Sequence, residues 1–196
     1  MNDVKGFFIK GSVPDLKTIC RSGLLGISAA VFSGYLLGFI MPAFPNLMEE
    51  YSDDISALIS GSAVLLFYVL ILAPVFEELL FRLFIYNLAK RFTNDTAAII
   101  IQAVLFGLYH GNIVQIIYAF LLGLLLGWIR KKTEHVLYCL IFHCFFNITG
   151  VIMDRFSKIE QPLLLRSIIL TLTCAVSVFL IWSLNRSRNG CDGQTD

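Results

Sequence analysis

The chain has 196 residues, 57% of them hydrophobic and only 15% charged, with a net charge of +1. Soluble domains are nearer half apolar with about a quarter charged, so the composition argues against a soluble enzyme, and the balanced charge gives no field for nucleic acid. The mean hydropathy is +0.78, and the charges fall in short clusters between runs long enough to cross a bilayer, which takes ~20 apolar residues. The expected fold is all-α, a polytopic transmembrane bundle of about six helices in one domain, with no soluble domain attached.

In chain order, residues 1–22 are polar, carry Lys5, Lys10, Lys17 and Arg21, and read as a cytoplasmic N-terminal segment. No cleavable signal is evident. The first spanning helix is predicted from Gly23 to Ile40, ended by the prolines Pro42 and Pro45. An acidic loop with Glu49, Glu50, Asp53 and Asp54 follows. A second apolar run extends from Ile55 to about Ala89. At ~1.5 Å per residue it is ~50 Å long, so it must kink at Pro74 or project past the membrane.

Lys90 and Arg91 close that run, and Thr93-Asn94-Asp95 looks like a cap. The third helix is predicted from Thr96 to His110, with Gly111-Asn112 as a turn signal. The fourth runs from Ile113 to Ile129. The fifth runs from Glu134 to Met153, with Thr133 as its cap. Asp154 to Gln161 reads as a polar loop, Pro162 as a first-turn proline, and the sixth helix as Leu163 to Leu184. Residues 185–196 form a polar tail expected to be disordered. The transmembrane domain is therefore 23–184, with its informative core at 55–153.

Basic residues favour the cytoplasmic side in short loops. With the N-terminus inside, eleven of the fifteen Lys and Arg lie inside, and only Arg155 and Lys158 lie outside. Both termini are thus expected in the cytoplasm, and the compact size suits a bacterial cell membrane. Cys20, Cys139, Cys144, Cys174 and Cys191 match no zinc or disulfide spacing. Ala119, Gly123 and Gly127 form a small-residue stripe suited to close helix packing.

Ionisable groups inside a bilayer are costly and need a partner or a function. The buried polar set is Glu77, Glu78, Arg82, His110, His143 and Asn147; His135 reads as interfacial. Measured from the cytoplasmic helix ends, Glu77 lies at ~20 Å, His110 at ~22 Å, His143 at ~14 Å and Asn147 at ~20 Å. His143 and Asn147 are four apart and share a face, as do Glu78 and Arg82, which can pair. Glu77, about 100° round an α-helix from Glu78, is then free to face another group. His110 follows Phe106 by four, so that ring can pack beneath the imidazole. A carboxylate can take a proton from water, an imidazole can share that task, and a carboxamide can donate to an oxyanion. The bland alternatives are a structural Glu78–Arg82 pair, a protonated Glu77 and interhelical hydrogen bonds from His110, His143 and Asn147.

The residues Glu77-Glu78-Leu79-Leu80-Phe81-Arg82, Phe106 with His110, and His143 with Asn147 resemble the EExxxR, FxxxH and HxxxN motifs of the CPBP family. These are the type II CAAX prenyl endopeptidases and their bacteriocin-processing and immunity-type relatives. The spacing is 33 residues from Glu77 to His110 and again 33 to His143. The resemblance covers Ile55 to Met153. It implies an intramembrane endopeptidase in which Glu77 and His110 activate water, His143 and Asn147 hold the oxyanion, and Glu78 and Arg82 support them. The family carries a metalloprotease label, and a metal-free glutamate mechanism is also argued for it. No cofactor is required by the sequence, but Glu77, His110 and His143 are candidate zinc ligands with a position left for water.

The implied partners are a peptide or membrane-protein substrate and the lipid bilayer. Leader-peptide processing or bacteriocin self-immunity suits a bacterial chain better than prenylated substrates. Competing readings are a proton- or ion-coupled transporter, against which no repeat is found, and a non-catalytic immunity or binding protein.

Overall fold

The computed structural model describes residues 13–156 and 161–189. Among them are seven helices and no strand. They are α1 (Leu16–Ile40), α2 (Pro45–Ile59), α3 (Ala63–Phe92), α4 (Asp95–Tyr109), α5 (Ile113–Thr133), α6 (Val136–Phe156) and α7 (Leu163–Asn189). Five of them, α1, α3, α5, α6 and α7, are long and apolar enough to cross a membrane, and α4 is a shorter apolar helix. The protein is an integral membrane protein. Exposed Leu, Ile, Val and Phe side chains along these helices face lipid, as a bilayer solvent requires.

Several boundaries differ from the sequence expectation. Helix α1 begins at Leu16, not Gly23, because the Asp15 carboxylate accepts the Thr18 N–H at 2.9 Å and caps the helix. The acidic stretch is not a loop. It is helix α2, with Leu47, Tyr51, Ile55 and Leu58 turned inward and the acids outward, an amphipathic spacing that a search for loops overlooks. The long run from Ile55 is broken at Ser60-Gly61-Ser62, and Ser62 caps α3 by accepting the Leu65 N–H. Glu134 does not start α6. It ends α5 in the left-handed conformation at φ 59°, and the Thr133 hydroxyl donates back to Ile129. Residues 154–156 continue α6, and 185–189 continue α7. Lys5, Lys10, Lys158, Cys191 and the rest of the polar tail lie outside the described residues.

Other signals hold. Asn94 caps α4 through the Ala97 N–H, and Asn112 caps α5 through Val114 and Gln115. Gly111 turns the chain between them at φ 76°.

Packing follows small residues. Helices α4 and α5 lie so close that a Cβ on Gly123 would come within 2.9 Å of Ala103 Cα, so the glycine stripe is used within the chain. Helix α1 packs against α6 and α7, and a Cβ on Gly26 would run into the Phe142 carbonyl. Leu25, Phe81, Phe106, Leu122, Leu126 and Phe142 form the apolar centre around which α3, α4 and α6 present their polar groups.

Candidate active site

Helix α3 is not regular. It widens into π-helical turns over Tyr68–Leu72 and again over Glu78–Ile85, on either side of the Pro74 segment. In the second, the Tyr86 N–H reaches back five residues to the Phe81 carbonyl. Such widened turns are frequent at functional sites. Here the widening begins at Glu78, and both neighbouring carboxylates reach one imidazole.

That imidazole is His143 of α6. Its Nδ1 donates to Glu78 Oε1 at 2.8 Å, and its Nε2 stands 3.6 Å from Glu77 Oε2. Glu77, which the sequence leaves free to face another group, faces the imidazole that Glu78 also holds: the two carboxylates flank opposite nitrogens of the same ring. Glu78 is 1% exposed and Glu77 13%, so Glu78 closes the floor while Glu77 remains reachable.

Below them, the Arg82 guanidinium is wholly buried, with Nη1 3.3 Å from Glu78 Oε1. It lies over the Phe106 ring at 4.1 Å, a desolvated cation–π contact. A buried charge of this kind persists only when paired. Glu78 Oε2 and the three guanidinium nitrogens have no hydrogen-bond partner among the described residues, so the floor retains bonding capacity.

Phe106 organises the rest. Its ring meets His110 edge-on at 4.9 Å, His143 at 5.8 Å and Phe81 at 5.1 Å. His110 sits where α4 ends. Its backbone N–H bonds Gly107, which frees the Phe106 carbonyl, and His110 Nδ1 donates to that carbonyl at 2.8 Å. A carbonyl only accepts, so Nδ1 carries the hydrogen and Nε2 is left as the basic nitrogen. Asn147, one turn beyond His143, donates through Nδ2 to the Val69 carbonyl of α3 at 3.3 Å.

The structure thus brings Glu77, Glu78, Arg82 and His143 into direct contact, joins His110 to them through Phe106, and ties Asn147 to α3. Sequence reasoning missed the Arg82–Phe106 stacking, the Val69 carbonyl and Tyr109, whose ring packs on His110 at 5.8 Å. The adjacency of Tyr109 to His110 was the available signal. The candidate zinc trio does not fit a metal centre as arranged. Among the described residues no three His, Cys, Asp or Glu side chains are grouped to hold an ion.

Residues 59–149 match the family model described as type II CAAX prenyl endopeptidase Rce1-like, a span running from the end of α2 into α6. Over this segment the chain is similar to that family. At the family level the likeness is to CAAX-type intramembrane endopeptidases, hydrolases of peptide bonds. No curated protein and no solved structure matched the chain.

Proposed function

We propose that the chain hydrolyses a peptide bond within the membrane using water activated by Glu77 and His110. The observation that carries this reading is the His143 imidazole held between two carboxylates, one sealed and one reachable. Glu77 takes a proton from water as its oxygen bonds the scissile carbonyl carbon, with His110 Nε2 as a second acceptor. The carbonyl oxygen becomes an oxyanion that accepts from the Asn147 carboxamide and from His143 Nε2–H when that ring is protonated. Glu78, by accepting Nδ1–H, fixes how His143 is turned. The carbon–nitrogen bond then breaks, and the proton held by Glu77 passes to the departing amine. Each of these roles uses only side chains of this chain.

The substrate class we favour is a peptide or small membrane protein cut near a leader junction or near its C-terminus, in peptide processing, CAAX-type maturation or bacteriocin self-immunity. The acting membrane is read as a bacterial cell membrane with both chain termini cytoplasmic.

Purified protein in detergent tests the reading. Glu77→Ala and His110→Ala should each lose peptide cleavage while thermal unfolding stays cooperative. Cleavage that survives both substitutions would reject the proposal. Flux in liposomes without proteolysis by the parent would favour a transporter, and immunity that persists in both variants would favour a binding protein.

A further inference from the structure

We infer that Pro74 is a positioning residue for Asn147: by removing one backbone N–H from α3 it leaves the Val69 carbonyl open, and that carbonyl holds the Asn147 carboxamide. This rests on the reading of Asn147 as an oxyanion donor and says what orients it.

The local register makes the case. In the widened turn before the proline, the Ala73 N–H bonds the Tyr68 carbonyl, five residues back. In the same register the Val69 carbonyl would receive the N–H of residue 74, and proline has none. Pro74 is buried, at under 2% exposure. A helix carbonyl at membrane depth needs a partner from the protein itself, and the partner found is Asn147 Nδ2 at 3.3 Å.

The contact also sets the geometry of the amide. Only the NH2 end of a carboxamide can satisfy a carbonyl, so the flip of Asn147 is fixed, and one of its two N–H groups is taken. The second N–H lies in the same plane, one turn along α6 from His143, and among the described residues only the Val69 contact of this amide is seen. A donor held in advance stabilises a developing charge without reorganising during the reaction. A free asparagine would have to surrender side-chain rotation at each turnover. The alternative, a proline that only bends α3, would affect stability without reference to residue 147.

A double-mutant cycle separates the two. Pro74→Ala restores the N–H, which pairs with Val69 and releases Asn147. Expected is a fall in kcat of about 10-fold with KM within about twofold, against about 100-fold for Asn147→Ala. The double variant should be no slower than Asn147→Ala alone. Equal loss from Pro74→Ala in both backgrounds, or an unchanged kcat, would overturn the inference. Should Pro74→Ala not fold, isotope-edited infrared spectra of carbonyl-labelled valine decide instead. Asn147→Ala should move the Val69 band, assigned by difference with Val69→Ile, to higher wavenumber, and a stationary band would overturn the contact. Glu77→Gln serves as the control: activity retained there would reject the hydrolase reading itself, whereas an inactive Glu77→Gln with an additive cycle would reject only the role of Pro74.

Discussion

The contact between α1 and α7 and the crossing of α3, α4 and α6 both bury polar groups in a membrane protein, and they handle them differently. Between α1 and α7 the groups are paired, and the Arg166 guanidinium among them donates to the Gly38 carbonyl at 2.7 Å. The Ser28 hydroxyl lies 3.0 Å from the Thr173 carbonyl and 2.8 Å from the Ser177 hydroxyl, and Tyr35 donates to Gln161 at 2.7 Å. At the other crossing a full ion pair is buried, an imidazole is shared by two carboxylates, and several donors and acceptors have no partner among the described residues. Satisfied groups join helices. At the α3–α4–α6 crossing the buried charges keep unused bonding capacity, as suits a place where something else is bound or turned over.

The contrast can be broken at several points. The largest expected effect is on chemistry: Glu77→Gln should lower peptide cleavage by ~10²–10⁴-fold with little change in thermal midpoint, and a large drop in midpoint would mean Glu77 is structural. Next is Arg82→Ala, which strands Glu78 and should destabilise by ~3–5 kcal/mol, whereas Arg82→Met should be tolerated better, both read by unfolding in detergent. Gly26→Val should separate α1 from the Phe142 carbonyl and destabilise by about 1–3 kcal/mol without changing the pH profile of cleavage. Ser28→Ala should cost only ~0.6 kcal/mol and leave activity intact; a greater loss would erase the distinction between the two regions.

A pH-dependent effect concerns Asp15, just outside the membrane-spanning part of α1. Its hydrogen bond with Thr18 holds the carboxyl below its ordinary range. Its contribution is complete above the ordinary carboxylate pKa and is lost as pH falls through the lowered value. Asp15→Ala should therefore remove ~1 kcal/mol at neutral pH and flatten the acid limb of the stability curve.

Much of this arrangement was legible in the residues themselves. Glu77, Glu78, Arg82, His110, His143 and Asn147 stood out because hydrocarbon penalises them, Asn94 announced its cap, and Gly111-Asn112 announced the turn. Helix α2 was hidden because its acids suggested a loop, while its inward stripe of Leu47, Tyr51, Ile55 and Leu58 is short. The pairing of both carboxylates with His143 was hidden because a 100° step per residue holds for an α-helix and fails where the turn widens. Pro74 signalled irregularity without saying where the widening would fall. The Val69 carbonyl carries no side-chain signature, so its contact with Asn147 becomes visible only in three dimensions.

Helix α4 has one more consequence. Its fifteen residues span only ~22 Å, against a hydrocarbon thickness of ~30 Å. Were α4 to cross, the bilayer beside it would have to thin, or the gap to fill with solvent. Either outcome shortens the path by which a hydrolase could draw its second reactant from the aqueous phase to the nitrogen of His110. A spin label at Gly111→Cys should accordingly be relaxed by a water-soluble paramagnet, and protection from it would mean the supply arrives by another route.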